Sequence, residues 1–158
     1  MAVHFSSVRM DMETPPNVFE PLDRHFHFVC DLAATAANAK CQRFITPEMD
    51  SLQQPWPGDG WCFLNPPYGR KIGRWIDKCC HEARLGVRIV ALLPSRTDTV
   101  WWEQTWMEAS GIAFVHGRVK FVDADHGAPF PSAIAVFEPR WWGPPPNVRL
   151  WQPGTEWA

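Results

Sequence analysis

Apolar positions along this chain fall into two patterns, short uninterrupted runs and longer segments in which every third or fourth residue is apolar. The short runs predict strands at residues 26–30, 44–45, 61–64, 87–93, 112–115 and 132–137. The helical spacing predicts helices after Thr14, which is the expected N-cap, and at residues 72–85 and 101–110. Between the first two strands, the alanine-rich residues 31–40 are expected to form a tight turn and a short helix.

The order of these elements predicts the fold class. Strands alternate with helices over most of the chain, which is typical of an α/β fold with a mostly parallel sheet covered by helices. The last two predicted strands are joined only by a loop, so we expect an antiparallel hairpin at one end of the sheet. We assign residues 1–138 to a single domain, with residues 1–11 poorly ordered. Residues 139–158, rich in proline and tryptophan, are expected to be an irregular extension on the surface.

Length and composition narrow the class of protein. A chain of 158 residues suits one domain with one sizeable core. No stretch approaches the roughly 20 apolar residues of a membrane span, and the N-terminus lacks a basic region followed by an apolar signal core. We therefore expect a cytoplasmic protein with no membrane partner. The five cysteines form no CxxC pair and the histidines show no ligand spacing, so we expect reduced thiols and no metal.

Positive charge is concentrated in one part of the chain, although the formal net charge is only −2. Between positions 65 and 96 the basic residues clearly outnumber the acidic ones, and Arg118 with Lys120 forms a second small basic cluster. A surface that binds nucleic acid gives this distribution, and so does the solvated face of a helix. The charge pattern alone leaves both interpretations open.

Polar residues follow three of the predicted strands. Asp31, Asn65 and the segment Arg96, Thr97 and Asp98 each stand where a strand ends. In an open parallel sheet, ligands bind at the carboxyl ends of the strands. The three positions together predict a binding site at this edge of the sheet.

The stretch FLNPPYGR carries the most specific chemistry. Pro66 and Pro67 end the strand and stiffen the chain after it, so Asn65 and Tyr68 lie on a rigid turn. The Asn65 side-chain oxygen and the Pro66 carbonyl are able to accept both hydrogens of one exocyclic amino group, which localises its lone pair for attack. Tyr68 is expected to stack on the heterocycle that bears this amine. A purely structural turn is the alternative.

Five segments in the same order resemble the phage-type DNA N6-adenine methyltransferase (Dam-like) family: ETPPNVFEPL, NPPYGR, LLPSRTDTVWW, GRVKF and PFPSAIAVF. The resemblance covers roughly residues 11–138. It implies a Rossmann-like, S-adenosylmethionine-dependent methyltransferase fold and methyl transfer from S-adenosylmethionine to adenine N6 in DNA. For a phage-encoded enzyme, it also implies action in the cytoplasm of a bacterial host.

The resemblance also implies roles for individual residues. The catalytic motif is matched by Asn65, Pro66, Pro67 and Tyr68, and the cofactor-binding positions by Thr14, Pro15, Asp31, Ala33, Asn38, Asp50 and Asn65. The DNA-contacting positions are Arg70, Lys71, Arg96, Thr97, Asp98, Lys120 and Phe121. Among these, Phe121 is expected to form the second face of a stacking clamp opposite Tyr68, and the cations are expected to hold phosphates.

One departure from the usual methyltransferase pattern keeps alternatives open. The glycine-rich loop expected after the first strand is replaced by CDLAATAANAK. A non-catalytic DNA-binding remnant is therefore one alternative, and methylation of cytosine N4, an RNA base or a protein glutamine is another. Individual positions also have plainer interpretations: Asp31 as a helix cap, Asp50 as a turn cap, Arg96 and Asp98 as an internal ion pair, and Phe121 as a core residue.

Overall fold

One mixed sheet organises the chain. The computed structural model describes residues 12–139 and 143–157, which contain six strands in the order β1-β2-β3-β5-β4-β6. The strands are β1 (Cys30–Asp31), β2 (Trp61–Leu64), β3 (Arg88–Pro94), β4 (Gly111–Val115), β5 (Ser132–Phe137) and β6 (Asn147–Trp151). The helices are α1 (Pro16–Phe26), α2 (Ile72–Arg84) and α3 (Val100–Glu108), with a 3-10 turn at Ser51–Gln53.

The sheet is parallel except for β5. β1, β2 and β3 pair in parallel, β5 pairs antiparallel with both β3 and β4, and β6 runs parallel to β4. Consequently the carboxyl ends of all strands but β5 lie at the same edge. The predicted α/β class and the antiparallel β4–β5 pair are confirmed, but this pair lies inside the sheet and not at its end.

The two central strands form the middle of the core. All six residues of β5 are buried, as are six of the seven residues of β3. α2 packs its buried face against this sheet, with Ile76 and Cys79 fully enclosed. A strand that is buried on both faces consists of consecutive apolar residues. For this reason the sequence predicts β3 and β5 almost residue by residue.

The N-terminal part of the fold differs from the prediction in detail. α1 extends to Phe26, and β1 contains only Cys30 and Asp31. The N-cap of α1 is Pro15, and the Thr14 hydroxyl makes no cap bond but accepts a hydrogen bond from Asn65. Residues 31–40 form turns without a helix, and Phe44 contributes a single bridge to Asp31. These short elements are held by tertiary contacts, which local patterns do not reveal.

The prediction of an irregular C-terminal extension is wrong for residues 147–151, which form β6. β6 covers the edge of β4 in parallel register from Gly111 with Asn147 to Val115 with Trp151. An uncovered β4 edge would present unpaired backbone groups, and β6 satisfies them. Val148 and Leu150 alternate with Asn147 and Arg149, but this pattern spans only five residues and most of its side chains are exposed, so it does not predict a buried strand. The expected disorder of residues 1–11 lies outside the described residues.

None of the helices in the described part of the chain has the length and apolar character needed to span a membrane.

Candidate active site

A cavity of about 640 Å³ opens at the carboxyl edge of β1 and β2. Ten of the predicted site residues line it: Thr14, Asp31, Ala33, Asn38, Asp50, Asn65, Pro67, Tyr68, Arg70 and Lys71. They come from the segment before α1, the loop after β1 and the turn after β2. The topology therefore gathers segments that are far apart in the sequence around a single space of the size that holds a small-molecule cofactor.

The Asn65 amide is held by the segment that precedes α1. Its Nδ2 donates to the Met12 carbonyl and, over 3.0 Å, to the Thr14 hydroxyl. Both amide hydrogens are thereby used, which leaves Oδ1 as the free acceptor of the side chain. Among the described residues, no protein group donates to Asn65 Oδ1 or to the Pro66 carbonyl.

The turn after β2 has the rigidity that the two prolines predicted. Pro66 is buried and Pro67 faces the cavity. Gly69 then adopts a φ of 142°, a conformation that side chains disfavour, and Arg70 and Lys71 follow before α2 begins. The chain thus turns sharply from the end of β2 into a helix whose first residues border the cavity.

Tyr68 is more enclosed than the sequence suggested. Its side chain is 9% exposed, and its hydroxyl donates to the Leu92 carbonyl of β3 over 3.0 Å. Burial raises the pKa of the Tyr68 phenol, which therefore acts as a neutral hydrogen-bond donor. This bond anchors the ring to the central sheet and fixes its orientation at the cavity wall.

The predicted clamp between Tyr68 and Phe121 is wrong for this conformation. The two rings meet edge to face, with centroids 6.1 Å apart and an interplanar angle of 79°. Phe130 meets Tyr68 in the same manner at 5.6 Å. Edge-to-face packing is a favoured arrangement of aromatic rings, and it leaves no parallel gap for a base. Phe121 is a buried core residue here.

Asp31 places a carboxylate at the base of the cavity. The side chain is 3% exposed and accepts backbone N–H bonds from Ala33 at 3.3 Å and from Lys40 at 3.0 Å. Desolvation by burial raises the pKa of Asp31 to about 6, although these two bonds and the Lys40 charge act in the opposite direction. The helix-cap interpretation does not apply, because no helix follows Asp31. The carboxylate instead ties together the two ends of the loop after β1.

Asn38 and Asp50 lie on the wall of the cavity in different ways. Asn38 Oδ1 accepts from the Thr35 N–H at 2.7 Å, so this amide shapes the loop and leaves its nitrogen available. Asp50 precedes the 3-10 turn with a left-handed backbone (φ 54°), and its exposed carboxylate makes no cap bond. The turn-cap interpretation of the Asp50 side chain is therefore wrong.

The predicted DNA-contacting residues divide into two groups. Arg70 and Lys71 lie at the rim of the cavity together with Arg74. The other group lies on neighbouring loops at the same edge of the sheet and does not line the cavity: Arg96, Thr97, Asp98, Lys120 and Phe121.

The segment after β3 has its own contacts. The Arg96 guanidinium carbon lies 5.6 Å from the centroid of the Phe130 ring, and no ion pair joins Arg96 to Asp98 in the part of the chain that the structure describes. Thr97 and Asp98 border a shallow depression beside Trp102. Lys120 is exposed on the loop between β4 and β5.

Several residues of the cavity were missed by the sequence analysis. Glu13 and Lys40 form an ion pair in its wall, and Trp75 and Leu52 add apolar surface. Glu13 and Lys40 are 27 positions apart, so only the fold reveals that they meet. Among the described residues, no group of three or more His, Cys, Asp or Glu side chains is arranged to hold a metal ion.

Comparison with known proteins places the chain in a family. The profile described as DNA N-6-adenine-methyltransferase (Dam) matches residues 4–142, which is most of the chain. The chain belongs to the DNA N-6-adenine-methyltransferase (Dam) family. Two similar proteins are named DNA N-6-adenine-methyltransferase. The protein of Haemophilus phage HP1 (strain HP1c1) is 27% identical over 135 residues, which cover 80% of this chain and 78% of the relative.

The second relative, from Escherichia phage T1, is 28% identical over 137 residues, covering 77% of this chain. This chain spans only 57% of the length of the T1 protein. Among solved structures, a protein described as a class I S-adenosylmethionine-dependent methyltransferase of Listeria monocytogenes overlaps with a TM-score of 0.45 at 12% identity. The overlap covers 72% of this chain and 43% of the Listeria protein.

Proposed function

We propose that this chain transfers a methyl group from S-adenosylmethionine to the N6 amino group of an adenine that is flipped out of DNA, and that Asn65 and the Pro66 carbonyl receive that amino group. The observation that carries the proposal is the fixed Asn65 amide. Its nitrogen is bonded to Met12 and Thr14, so its oxygen is the group left to accept a hydrogen bond from a ligand.

The residues of the cavity fit the cofactor. Its volume of about 640 Å³ lies within the range of about 300–1,000 Å³ that is usual for small-molecule sites. Asp31 and Asp50 offer acceptors for an ammonium group, ribose hydroxyls or an adenine amine, while Phe63 and Leu52 provide apolar surface. When bound, S-adenosylmethionine supplies an electrophilic methyl group on a sulfonium.

The chemical role of the Asn65 turn follows from the electronic structure of adenine. The exocyclic amine is a weak nucleophile because its lone pair is delocalised into the ring. Two oxygens on a rigid turn that accept both N–H bonds favour a tetrahedral nitrogen and localise the lone pair. Holding these acceptors in place before the base arrives is the main catalytic contribution of the protein, since groups fixed in advance need no reorganisation during the reaction.

Access of the base to this turn requires an unstacked nucleotide, because adenine N6 within a duplex is out of reach of a cavity. Arg70 and Lys71 lie at the rim of the cavity, and Arg96 and Lys120 are exposed on loops at the same edge of the sheet. All four are suited to hold phosphates. Tyr68 lies in the wall of the cavity, where it is placed to contact the incoming base. Because both named relatives are phage proteins, we expect the enzyme to act in the cytoplasm of a bacterial host.

The test uses unmethylated DNA and S-adenosylmethionine labelled in its methyl group, followed by digestion of the DNA to nucleosides. We expect label in N6-methyldeoxyadenosine and in no other nucleoside. Label in N4-methyldeoxycytidine would contradict the proposed target, as would parallel reactions in which RNA or protein is labelled and DNA is not. Cofactor binding without transfer to any of these substrates would favour a non-catalytic protein.

The matched variant is Asn65→Ala. We expect it to lower the rate of transfer by about 100-fold or more, which is typical for the loss of one preorganised hydrogen-bonding group in an active site. Affinity for S-adenosylhomocysteine, measured by calorimetry, should change much less. Near-normal turnover of Asn65→Ala would show that the amide does not receive the target amine.

A further inference from the structure

An ion pair in the wall of the cavity takes no part in the proposed methyl transfer. Lys40 Nζ lies 2.8 Å from Glu13 Oε1, and the two side chains are 18% and 32% exposed. Both residues line the cavity. A pair this accessible to a binding site is able to exchange its mutual contact for contacts with a ligand.

The pair lies next to the groups that hold Asn65. Glu13 stands between Met12 and Thr14, the two residues that accept hydrogen bonds from the Asn65 amide. On the other side, the Lys40 N–H donates to Asp31 Oδ2. The ion pair therefore lies between the reacting amide and the buried carboxylate at the base of the cavity.

The backbone around Glu13 is also held in place. The Glu13 carbonyl accepts a hydrogen bond from the Val122 N–H at 3.0 Å, which ties the segment before α1 to the loop between β4 and β5. The Glu13 side chain is consequently presented from a fixed backbone. Glu13 Oε1 is engaged by Lys40, while Oε2 has no protein donor among the described residues.

We propose that Glu13 and Lys40 bind the amino acid end of the cofactor, with Lys40 contacting its carboxylate and Glu13 its ammonium group. This inference rests on the proposed function. The amino acid end carries a positive and a negative group on one carbon, and the ion pair presents the complementary charges side by side. Each partner thus exchanges one charged contact for another, so neither charge is left without a counter-charge in the partly buried wall.

The local sum of charges supports the same assignment. With Asp31 ionised, Glu13, Asp31 and Lys40 amount to two carboxylates and one ammonium group, a net single negative charge. S-adenosylmethionine has a net single positive charge from its sulfonium, ammonium and carboxylate groups. A ligand of this charge neutralises this group of three side chains, whereas the cations Arg70, Lys71 and Arg74 lie at the rim of the cavity.

If Glu13 and Lys40 bind the amino acid end of the cofactor, losing the pair weakens only those ligands that have this end. If the pair only stabilises the cavity wall, losing it weakens all ligands of the cavity alike. The experiment measures, by calorimetry, the affinities of S-adenosylhomocysteine and of 5′-methylthioadenosine, which has the same nucleoside and thioether but lacks the amino acid end. We expect Lys40→Met to weaken S-adenosylhomocysteine binding by about tenfold or more and to leave 5′-methylthioadenosine binding nearly unchanged. Glu13→Gln should also weaken S-adenosylhomocysteine binding more than 5′-methylthioadenosine binding. Lys40→Arg should preserve most of the affinity for S-adenosylhomocysteine.

Arg84→Met is the matched control. Arg84 pairs with Glu108 at the ends of α2 and α3, at the opposite edge of the sheet. Neither affinity should change in this variant. Equal losses for both ligands in Lys40→Met, or no loss for either, would overturn the assignment while leaving the proposed function intact. Failure of the wild-type protein to bind S-adenosylhomocysteine would overturn both.

Discussion

The Thr14 hydroxyl accepts a hydrogen bond from the Asn65 amide over 3.0 Å, although the two residues are 51 positions apart. Thr14 is 2% exposed and precedes α1, whereas Asn65 ends β2. This bond orients the Asn65 oxygen, so the residue before the first helix controls the acceptor that the proposed reaction uses.

Replacing Thr14 tests this positioning role. Thr14→Val keeps the shape of the side chain but removes the acceptor, which leaves one Asn65 N–H unpaired and the orientation of the amide less firmly held. We expect kcat to fall by about tenfold, with a much smaller change in affinity for S-adenosylhomocysteine. Thr14→Ser retains the hydroxyl and should recover most of the lost rate. A purely structural role would instead lower the melting temperature of Thr14→Val without this split between kcat and affinity.

Asp31 predicts a pH dependence of cofactor binding. Its folded pKa of about 6 lies above the ordinary value of 3.8, so near and below pH 6 the ligand-free protein holds a proton on Asp31 that is displaced when a ligand donates hydrogen bonds to the carboxylate. Affinity for S-adenosylhomocysteine should therefore rise with pH through about 6, and binding near that pH should release protons. Calorimetry in buffers of different ionisation enthalpy measures this release. Asp31→Asn should bind more weakly, with a flat profile between pH 5 and 7; an equally steep profile in this variant would assign the titration to another group.

The raised pKa of Asp31 also makes the stability of the ligand-free protein depend on pH. Because the folded pKa of Asp31 exceeds the unfolded one, its contribution to stability is fully present below about pH 3.8 and is lost as the pH rises through about 6. Asp31→Asn removes this contribution. The difference in free energy of unfolding between wild type and variant should therefore change between pH 4 and 7 in the direction that favours the variant at higher pH.

Glu82 is expected to be the most sensitive charged residue of α2. It is 3% exposed, lies 2.6 Å from Lys78 Nζ, and accepts a weaker bond from the Trp56 N–H at 3.4 Å. Glu82→Ala leaves the Lys78 charge without its partner in a mostly buried position. We expect the free energy of unfolding to fall by about 3 kcal/mol. Urea denaturation measures the loss, and Arg84→Ala, which breaks an exposed pair, should cost no more than about 1 kcal/mol.

Lys120 tests the DNA surface separately from the cofactor cavity, because it is exposed and does not line that cavity. Lys120→Ala should weaken DNA binding and reduce the slope of log K against log salt concentration by about 0.9, the value for one lost phosphate contact on duplex DNA. Affinity for S-adenosylhomocysteine should not change. An unchanged salt slope would remove Lys120 from the contact surface, and Arg84→Ala, at the opposite edge of the sheet, is the control.

Much of the fold was predictable where burial imposes a pattern. β2 and β5 match their predicted bounds, α2 ends one residue earlier than predicted, and β3 is shifted by one residue at each end. Prediction failed for β1 and β6, which are short or mostly exposed and exist because a neighbouring strand needs partners for its backbone groups. β1 is too short to show a pattern, and the alternation of Val148 and Leu150 in β6 is too short to distinguish the strand from an irregular segment.

The candidate site also has a part that the sequence predicts and a part that it does not. Asn65, Pro66, Pro67 and Tyr68 form one rigid segment, so their chemistry was predictable from adjacent residues. The clamp with Phe121 was not, since the angle between two rings depends on how the loop between β4 and β5 packs on Tyr68.

By itself, the sequence determined the α/β alternation, the rigid turn after β2 and the family motifs, because each is set by neighbouring residues and their periodicity. Only the tertiary structure decided that β5 lies between β3 and β4, that the Asn65 nitrogen faces Met12 and Thr14, and that Glu13 meets Lys40. The physical reason is that these relationships join segments distant in the chain, whose contacts arise from packing around a shared sheet and leave no trace in local residue spacing.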